Sequence, residues 1–210
     1  VLNSGSEVTG NIGSPGNKIG IVELNGTGKI KLDGLSFANN LRIGNPGLII
    51  EAKGVINCNI DYTADGTVEA GAGIAGSVTT SANNQGKLLI GGGTVSGTVG
   101  TVTNALKLVD FVAGNSVLTS GALATDFKVE AGANVKADSL LTGKVGYAGA
   151  GTLGANNGIT GNIDFANQDG ILNLASGKKI TGNVDSTAGI NGTLNFAGVP
   201  DVTGTIGAPV

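Results

Sequence analysis

The chain has 210 residues, a formal net charge of −3 and 40% hydrophobic residues, with only 3% aromatic and no Met, Trp or His. The lack of histidine removes the histidine general base, the serine triad and any His-containing zinc site, and one cysteine allows neither an internal disulfide nor a four-cysteine metal site. The lysines are spread from Lys18 to Lys179 and Arg42 is the single arginine, which is not the clustered basic footprint of a nucleic-acid partner.

In chain order, one short phrase keeps returning. It begins as Val8-Thr9-Gly10-Asn11-Ile12 and has a weak echo at Leu32-Asp33-Gly34. Ile56-Asn57-Cys58-Asn59-Ile60-Asp61 repeats it with cysteine in the glycine place. It follows again as Ile74-Ala75-Gly76-Ser77-Val78 and Val95-Ser96-Gly97-Thr98-Val99, then with serine at Leu118-Thr119-Ser120, then as Leu141-Thr142-Gly143-Lys144-Val145. The clearest copies are Ile159-Thr160-Gly161-Asn162-Ile163-Asp164 and Ile180-Thr181-Gly182-Asn183-Val184-Asp185, and the last is Val202-Thr203-Gly204-Thr205-Ile206. The glycines at 10, 76, 97, 143, 161, 182 and 204 are separated by 66, 21, 46, 18, 21 and 22 residues. The two long intervals are close to three and two periods, so the repeat runs unbroken at 21–22 residues over about ten coils, the mark of a solenoid.

Each coil reads as strands. Within the phrase Ile159, Ile163 and Phe165 alternate with Thr160, Asn162 and Asp164, the period-2 pattern of a half-buried strand. Glycine-led segments such as Gly86-Lys87-Leu88-Leu89-Ile90, Gly170-Ile171-Leu172-Asn173-Leu174 and Gly192-Thr193-Leu194-Asn195-Phe196 supply a second strand. Thr67-Val68-Glu69-Ala70 and Lys128-Val129-Glu130-Ala131 supply a third in some coils. Asn-Gly, Asp-Gly and Ser-Gly pairs between them suit tight turns. The fold expected is all-β, a right-handed parallel β-helix over residues 1–210, with handedness set by the chirality of parallel crossovers. Gly is abundant at 39 residues, but without a three-residue period it is not collagenous, and the alternating β-branched residues argue against disorder.

The same alternation sends Cys58, Ile60, Ile163, Leu172, Val184, Leu194 and Phe196 inward and Thr160, Asn162, Asp164, Thr181, Asn183 and Asp185 outward. Cys58 then reads as a small buried hydrophobe. Asn162 and Asn183 are expected to stack as an outward ladder sharing side-chain hydrogen bonds. Asp164 and Asp185, at equivalent places in adjacent coils, would lie about 5 Å apart, an acid/base distance of the kind polysaccharide-cleaving enzymes use. They belong to a repeated phrase in which Asp61 holds the same place, so the structural explanation is preferred. Gly91-Gly92-Gly93 lacks the Lys-Ser/Thr of a phosphate loop, and Gly26-Thr27-Gly28 fails the calcium-binding nonapeptide. No catalytic, cofactor-binding or metal residue is assigned, and no enzyme activity is expected. The stretch from Val109 to Asp126, with Phe111 inside it and Phe127 just beyond, is the place where an inserted binding loop could break the period, although one more coil explains it better.

No run of eighteen apolar residues is present, so no membrane-spanning helix is expected. No basic, apolar signal peptide opens the chain. The rhythm is cut at both ends, and the chain is expected to be an excerpt of something longer.

The Thr-Gly-Asn phrases at 159–165, the strands at 170–174 and 192–198 and the overall style resemble rickettsial surface-antigen autotransporters, most nearly the passenger of the outer-membrane protein B type. The resemblance implies a passenger displayed on the bacterial outer membrane, used in adhesion to and invasion of host cells, with a host-cell surface protein as partner. A passive spacer or surface coat is the alternative, and lateral association between copies is left open. The family carries no catalytic motif to transfer.

Overall fold

The computed structural model describes residues 1–187, 189–199 and 201–207. Among these there are only strands, turns and bends, and every pairing between named strands is parallel. The chain winds as a β-solenoid of about ten coils, as the repeat requires. Coil length varies more than the phrase suggests: paired residues are 18 apart at Ile50↔Val68 and 24 apart at Val8↔Leu32.

Three walls enclose the core. The first runs from Glu7–Val8 through Gly28–Leu32, Leu48–Ala52, Thr67–Ala70, Gln85–Ile90 and Leu106–Phe111. The second stacks seven strands from Gly73–Ile74 to Thr193–Phe196. The third begins with Ile19–Leu24, Ala38–Ile43, Asn59–Tyr62 and Val78–Thr80, and single bridges carry it on through Val99 to Ala122. In five early coils the turn from third to first wall is a loop, at residues 25–27, 44–47, 63–66, 81–84 and 100–105. It then vanishes, and Ala122–Val129 and Leu141–Tyr147 serve both walls as single strands. Opposite Gly143 the first of these carries an extra residue, with register shifting between Leu123 and Asp126, a β-bulge that turns both Thr125 and Asp126 outward.

The alternation predicted the core correctly. Ile60, Leu172, Ile163 and Val184 are buried, and so is Cys58. Leu194 and Phe196 point inward but are only partly covered, since they lie in the last coil. Five of the seven aromatic residues, Tyr62, Phe111, Phe127, Tyr147 and Phe165, are buried in the core. Tyr147 and Phe165 stack at 4.7 Å. Each tyrosine hydroxyl donates to a backbone carbonyl, Tyr62 to Lys87 at 2.6 Å and Tyr147 to Ile171 at 3.0 Å, which meets the polar demand of a buried ring.

The stretch from Val109 to Asp126 holds no inserted loop: it pairs with the coils on both sides, and its one irregularity is the β-bulge between Leu123 and Asp126. The longest of the turns lies just before it, the loop at 100–105, where Thr101 and Asn104 exchange backbone hydrogen bonds and Val102 is 92% exposed.

Candidate interaction face

The repeated phrase is a corner device. At Gly143, Gly161, Gly182 and Gly204 the backbone has φ between +145° and +152°, a region that side chains avoid. A Cβ at Gly161 would overlap the carbonyl of Gly143, and one at Gly182 that of Gly161. The asparagine after the glycine then serves the next coil. Asn162 Oδ1 accepts from the Asn183 backbone N–H at 3.0 Å, and Asn183 Oδ1 from that of Thr205 at 3.1 Å. Asn11 does the same for Leu35 and Asn59 for Ser77. The expected side-chain ladder at these corners is therefore a side-chain-to-backbone one. Amide-to-amide rungs occur instead on the second wall, Asn134 to Asn115 at 2.8 Å and Asn195 to Asn173 at 2.9 Å.

The phrase does not mark one column. Ile12, Ser36, Ile56 and Ile74 are level with one another, which puts Gly10, Gly34, Gly54 and Ala72 level too, and Gly76 four residues further along the coil. Val99, Ala122 and Leu141 are also level, so Gly97 aligns with Ser120 and Ser139, and Gly143 again lies four residues on. Each long interval thus hides a move to the next corner, and the device is used in turn at all three. Cysteine is tolerated at 58 because the coil beneath carries an extra residue, with Phe37, Ala38 and Asn39 facing Asn57 and Cys58.

This corrects the grouping of carboxylates. Asp164 and Asp185 pair directly across adjacent strands of the first wall, whereas Asp61 sits on the third wall between Arg42 and Thr79. Asp164 accepts hydrogen bonds from the Ala166 N–H at 2.9 Å, the Thr187 N–H at 3.1 Å and the Thr187 hydroxyl at 2.9 Å. Burial pushes its pKa up, but these bonds and Lys144 outweigh that and hold it below the usual carboxylate range. Asp185 accepts from the Ser186 N–H at 2.7 Å. Both carboxyls tie down the turn that follows them. The Cys58 thiol is pushed up to about 11 by burial, against small opposing effects of the Ala38 backbone and Lys18.

What the linear sequence conceals is the gathering of charge on the first wall. Register aligns Glu7, Lys31, Glu51, Glu69, Leu89, Asp110 and Lys128 in one outward column. Lys29 Nζ reaches Glu51 at 2.9 Å and Glu69 at 3.3 Å, and Lys53 meets Asp33 at 3.0 Å. The Glu51 carboxyl is held below its ordinary value by its hydrogen bond to Lys29. Asp110 is the exception. It is 8% exposed, its Oδ1 is buried without a hydrogen-bond partner, and Lys128 stands 4.0 Å from Oδ2. Burial raises its pKa, Glu130 adds to the rise and Lys128 opposes it. Spacing that looked scattered becomes contiguous because residues about one coil apart are spatial neighbours. Beyond this column, the outer surfaces carry Asn and Thr in adjoining positions, as at Asn134 and Thr152 on the second wall.

The fold and its outer faces define a parallel β-solenoid with an apolar core and largely polar outer walls. Along nearly its whole length the chain is similar to outer membrane protein A of Rickettsia rickettsii. The two are 29% identical over 235 aligned positions, which cover 96% of this chain and 10% of that protein. The likeness supports a rickettsial surface protein, with an outer-membrane or surface location, and the chain spans about a tenth of the relative's length. No family model matches the chain, and no solved structure matches it.

Proposed function

We propose that this chain is a stretch of the exported passenger of a rickettsial autotransporter, displayed on the outer face of the outer membrane and used to adhere to host cells. The observation that carries the proposal is the match across 96% of the chain to a rickettsial outer-membrane protein, joined to a solenoid with a charged outer column on its first wall and outward Asn and Thr on its second. The outer-membrane protein B type is its narrower form, supported by the phrase pattern. A role without catalysis is favoured by the acidic pair, since Asp164 is committed to three hydrogen bonds, while a general acid needs a raised pKa.

A polar, flat wall offers few of the aromatic and arginine anchors that dominate tight interfaces, so a single segment binds weakly and many copies acting together supply the strength. The test compares binding of monomeric segment to cultured animal cells with binding of beads that carry many copies. Retention of beads but not monomer is the expected result. Tight binding by monomer overturns the multivalent mechanism, and failure in both formats leaves the segment a spacer.

A further inference from the structure

At the corner between the first and second walls, successive coils place Lys53, Gly71, Gly91 and Val112 in one column. The two glycines open a notch of about 370 Å3 between Lys53 and Val112, floored by Ala52, Ala70 and Leu89. Neither glycine has a positive φ. A Cβ at Gly91 would make only ordinary contacts, 3.6 Å to Gly71 Cα and 3.8 Å to the Ala70 carbonyl, and one at Gly71 would approach the Ala52 carbonyl at 3.2 Å. The contrast with Gly161 and Gly182 is direct. There the backbone demands glycine; at Gly91 a side chain has room, while at Gly71 it would fit only if the Ala52 carbonyl gave by a few tenths of an ångström, and glycine in extended backbone costs conformational entropy.

The rim is acidic. Glu51 and Glu69 line the notch and share the single ammonium of Lys29. Asp110 lies one strand beyond Leu89 in the same column, with a buried oxygen that no donor satisfies. Its neighbour Lys128 is closer to Glu130 than to Asp110. Lys53 is engaged by Asp33. On this part of the wall Glu7, Asp33, Glu51, Glu69, Asp110 and Glu130 stand against Lys29, Lys31, Lys53 and Lys128, an excess of carboxylates around an apolar floor, and what complements that is an aliphatic side chain next to a cation.

We propose that this notch is a docking site for an extended segment of a protein partner that inserts a leucine-like side chain between Gly71 and Gly91 and sets a lysine or arginine against Glu69 and Asp110. The proposal goes with the adhesion reading in assuming that this wall faces outward. It is tested in solution, so its outcome is separable from cell binding.

The probe is the peptide acetyl-Gly-Lys-Leu-Lys-Gly-amide, titrated into the full 210-residue chain and followed by amide chemical shifts. The expected result is a dissociation constant on the order of millimolar, as one side-chain contact supplies little, with shifts confined to residues near 52–53, 69–71, 89–91 and 112. The acidic counterpart acetyl-Gly-Glu-Leu-Glu-Gly-amide should bind at least about tenfold more weakly. Gly91→Val fills the notch and should abolish the shifts, and Glu69→Gln should weaken binding severalfold while keeping the fold. Should Gly91→Val unfold, Val112→Ser gives the same readout from the opposite rim. Equal response to both peptides, unchanged binding by Gly91→Val or Val112→Ser, or no shifts at these residues overturns the proposal. So does concentration-dependent self-association that perturbs the same amides, because a second copy would then be the occupant.

Discussion

Replacing Gly161 by alanine tests the corner device. The new Cβ would overlap the Gly143 carbonyl, at a backbone φ of +146°. Holding an L-residue in that region costs about 1–3 kcal/mol. Relieving the overlap requires the coils of Gly143 and Gly161 to part, where Val145 N–H donates to the Asn162 carbonyl at 2.8 Å and Leu141 N–H to the Gly158 carbonyl at 3.3 Å. Loosening two such bonds adds about 1 kcal/mol each, so the expected loss is about 3–5 kcal/mol. Gly10→Ala is the internal control, because Gly10 has no positive φ and nothing within 4 Å of its would-be Cβ. That change should be neutral or stabilise by up to about 1 kcal/mol through the unfolded chain. Urea unfolding of both variants gives the comparison, with hydrogen exchange to localise the damage to coils flanking 161. Similar costs at Gly10 and Gly161 would refute the reasoning, since the phrase is the same and only the backbone φ and the stacking differ.

Other outcomes follow from single side chains. Asn162→Ala should cost about 1 kcal/mol and speed exchange of the Asn183 amide selectively, whereas Asn162→Asp should leave that amide protected. Ile163→Ala, a core truncation at 1% exposure, should cost about 2–5 kcal/mol by denaturant unfolding. Asp164→Asn keeps the Oδ1 acceptor for both N–H groups and should cost about 1 kcal/mol, more than the ~0.5 kcal/mol typical of a plain surface position. Labelling of Cys58 by a bulky maleimide in the native state should be slow at neutral pH and accelerate as pH rises toward about 11; rapid labelling at pH 7 would show the thiol to be outward.

The solenoid was legible because its signals are local and repeated. Alternation placed Ile60, Ile163, Leu172 and Val184 without any knowledge of which coil met which. The corners were not legible, although the phrase that builds them was plain. A glycine with a following asparagine solves one problem, bending the backbone and capping the N–H of the next coil, and it solves it equally well wherever two walls meet. Sequence therefore showed the device but not its address, and Asp61 was grouped with Asp164 although they stand on different walls. The charged column and the notch were hidden for a related reason. Lys31, Glu51 and Glu69 are twenty or so residues apart along the chain and adjacent in space, and only the actual coil lengths, irregular from coil to coil, bring them into line.

Asp164 and Asp110 are outward positions of the same wall with opposite pH behaviour, and the difference separates a structural carboxylate from one that the fold alone does not explain. The pKa of Asp164 is lowered, so its contribution is present above the unfolded value of about 3.9 and is lost as pH falls through the folded value. The pKa of Asp110 is raised. The native state then holds its proton more tightly than the unfolded chain, and stability falls as pH rises from about 3.9 through the folded value. Asp110→Val, set among Leu89 and Val112, removes a buried carboxylate with an unsatisfied oxygen and should stabilise the protein by about 1 kcal/mol or more at pH 7. That gain should shrink as pH falls through the raised folded value toward about 3.9, below which the carboxyl is neutral in both states. Thermal melts of the two proteins from pH 3 to pH 8 measure it. A destabilised Asp110→Val at pH 7 would mean that Lys128 and its surroundings already satisfy the carboxylate, and would remove one of the three acidic groups from the rim of the notch. A stabilised one leaves a carboxylate kept at a cost to the fold, next to a groove that the backbone does not require.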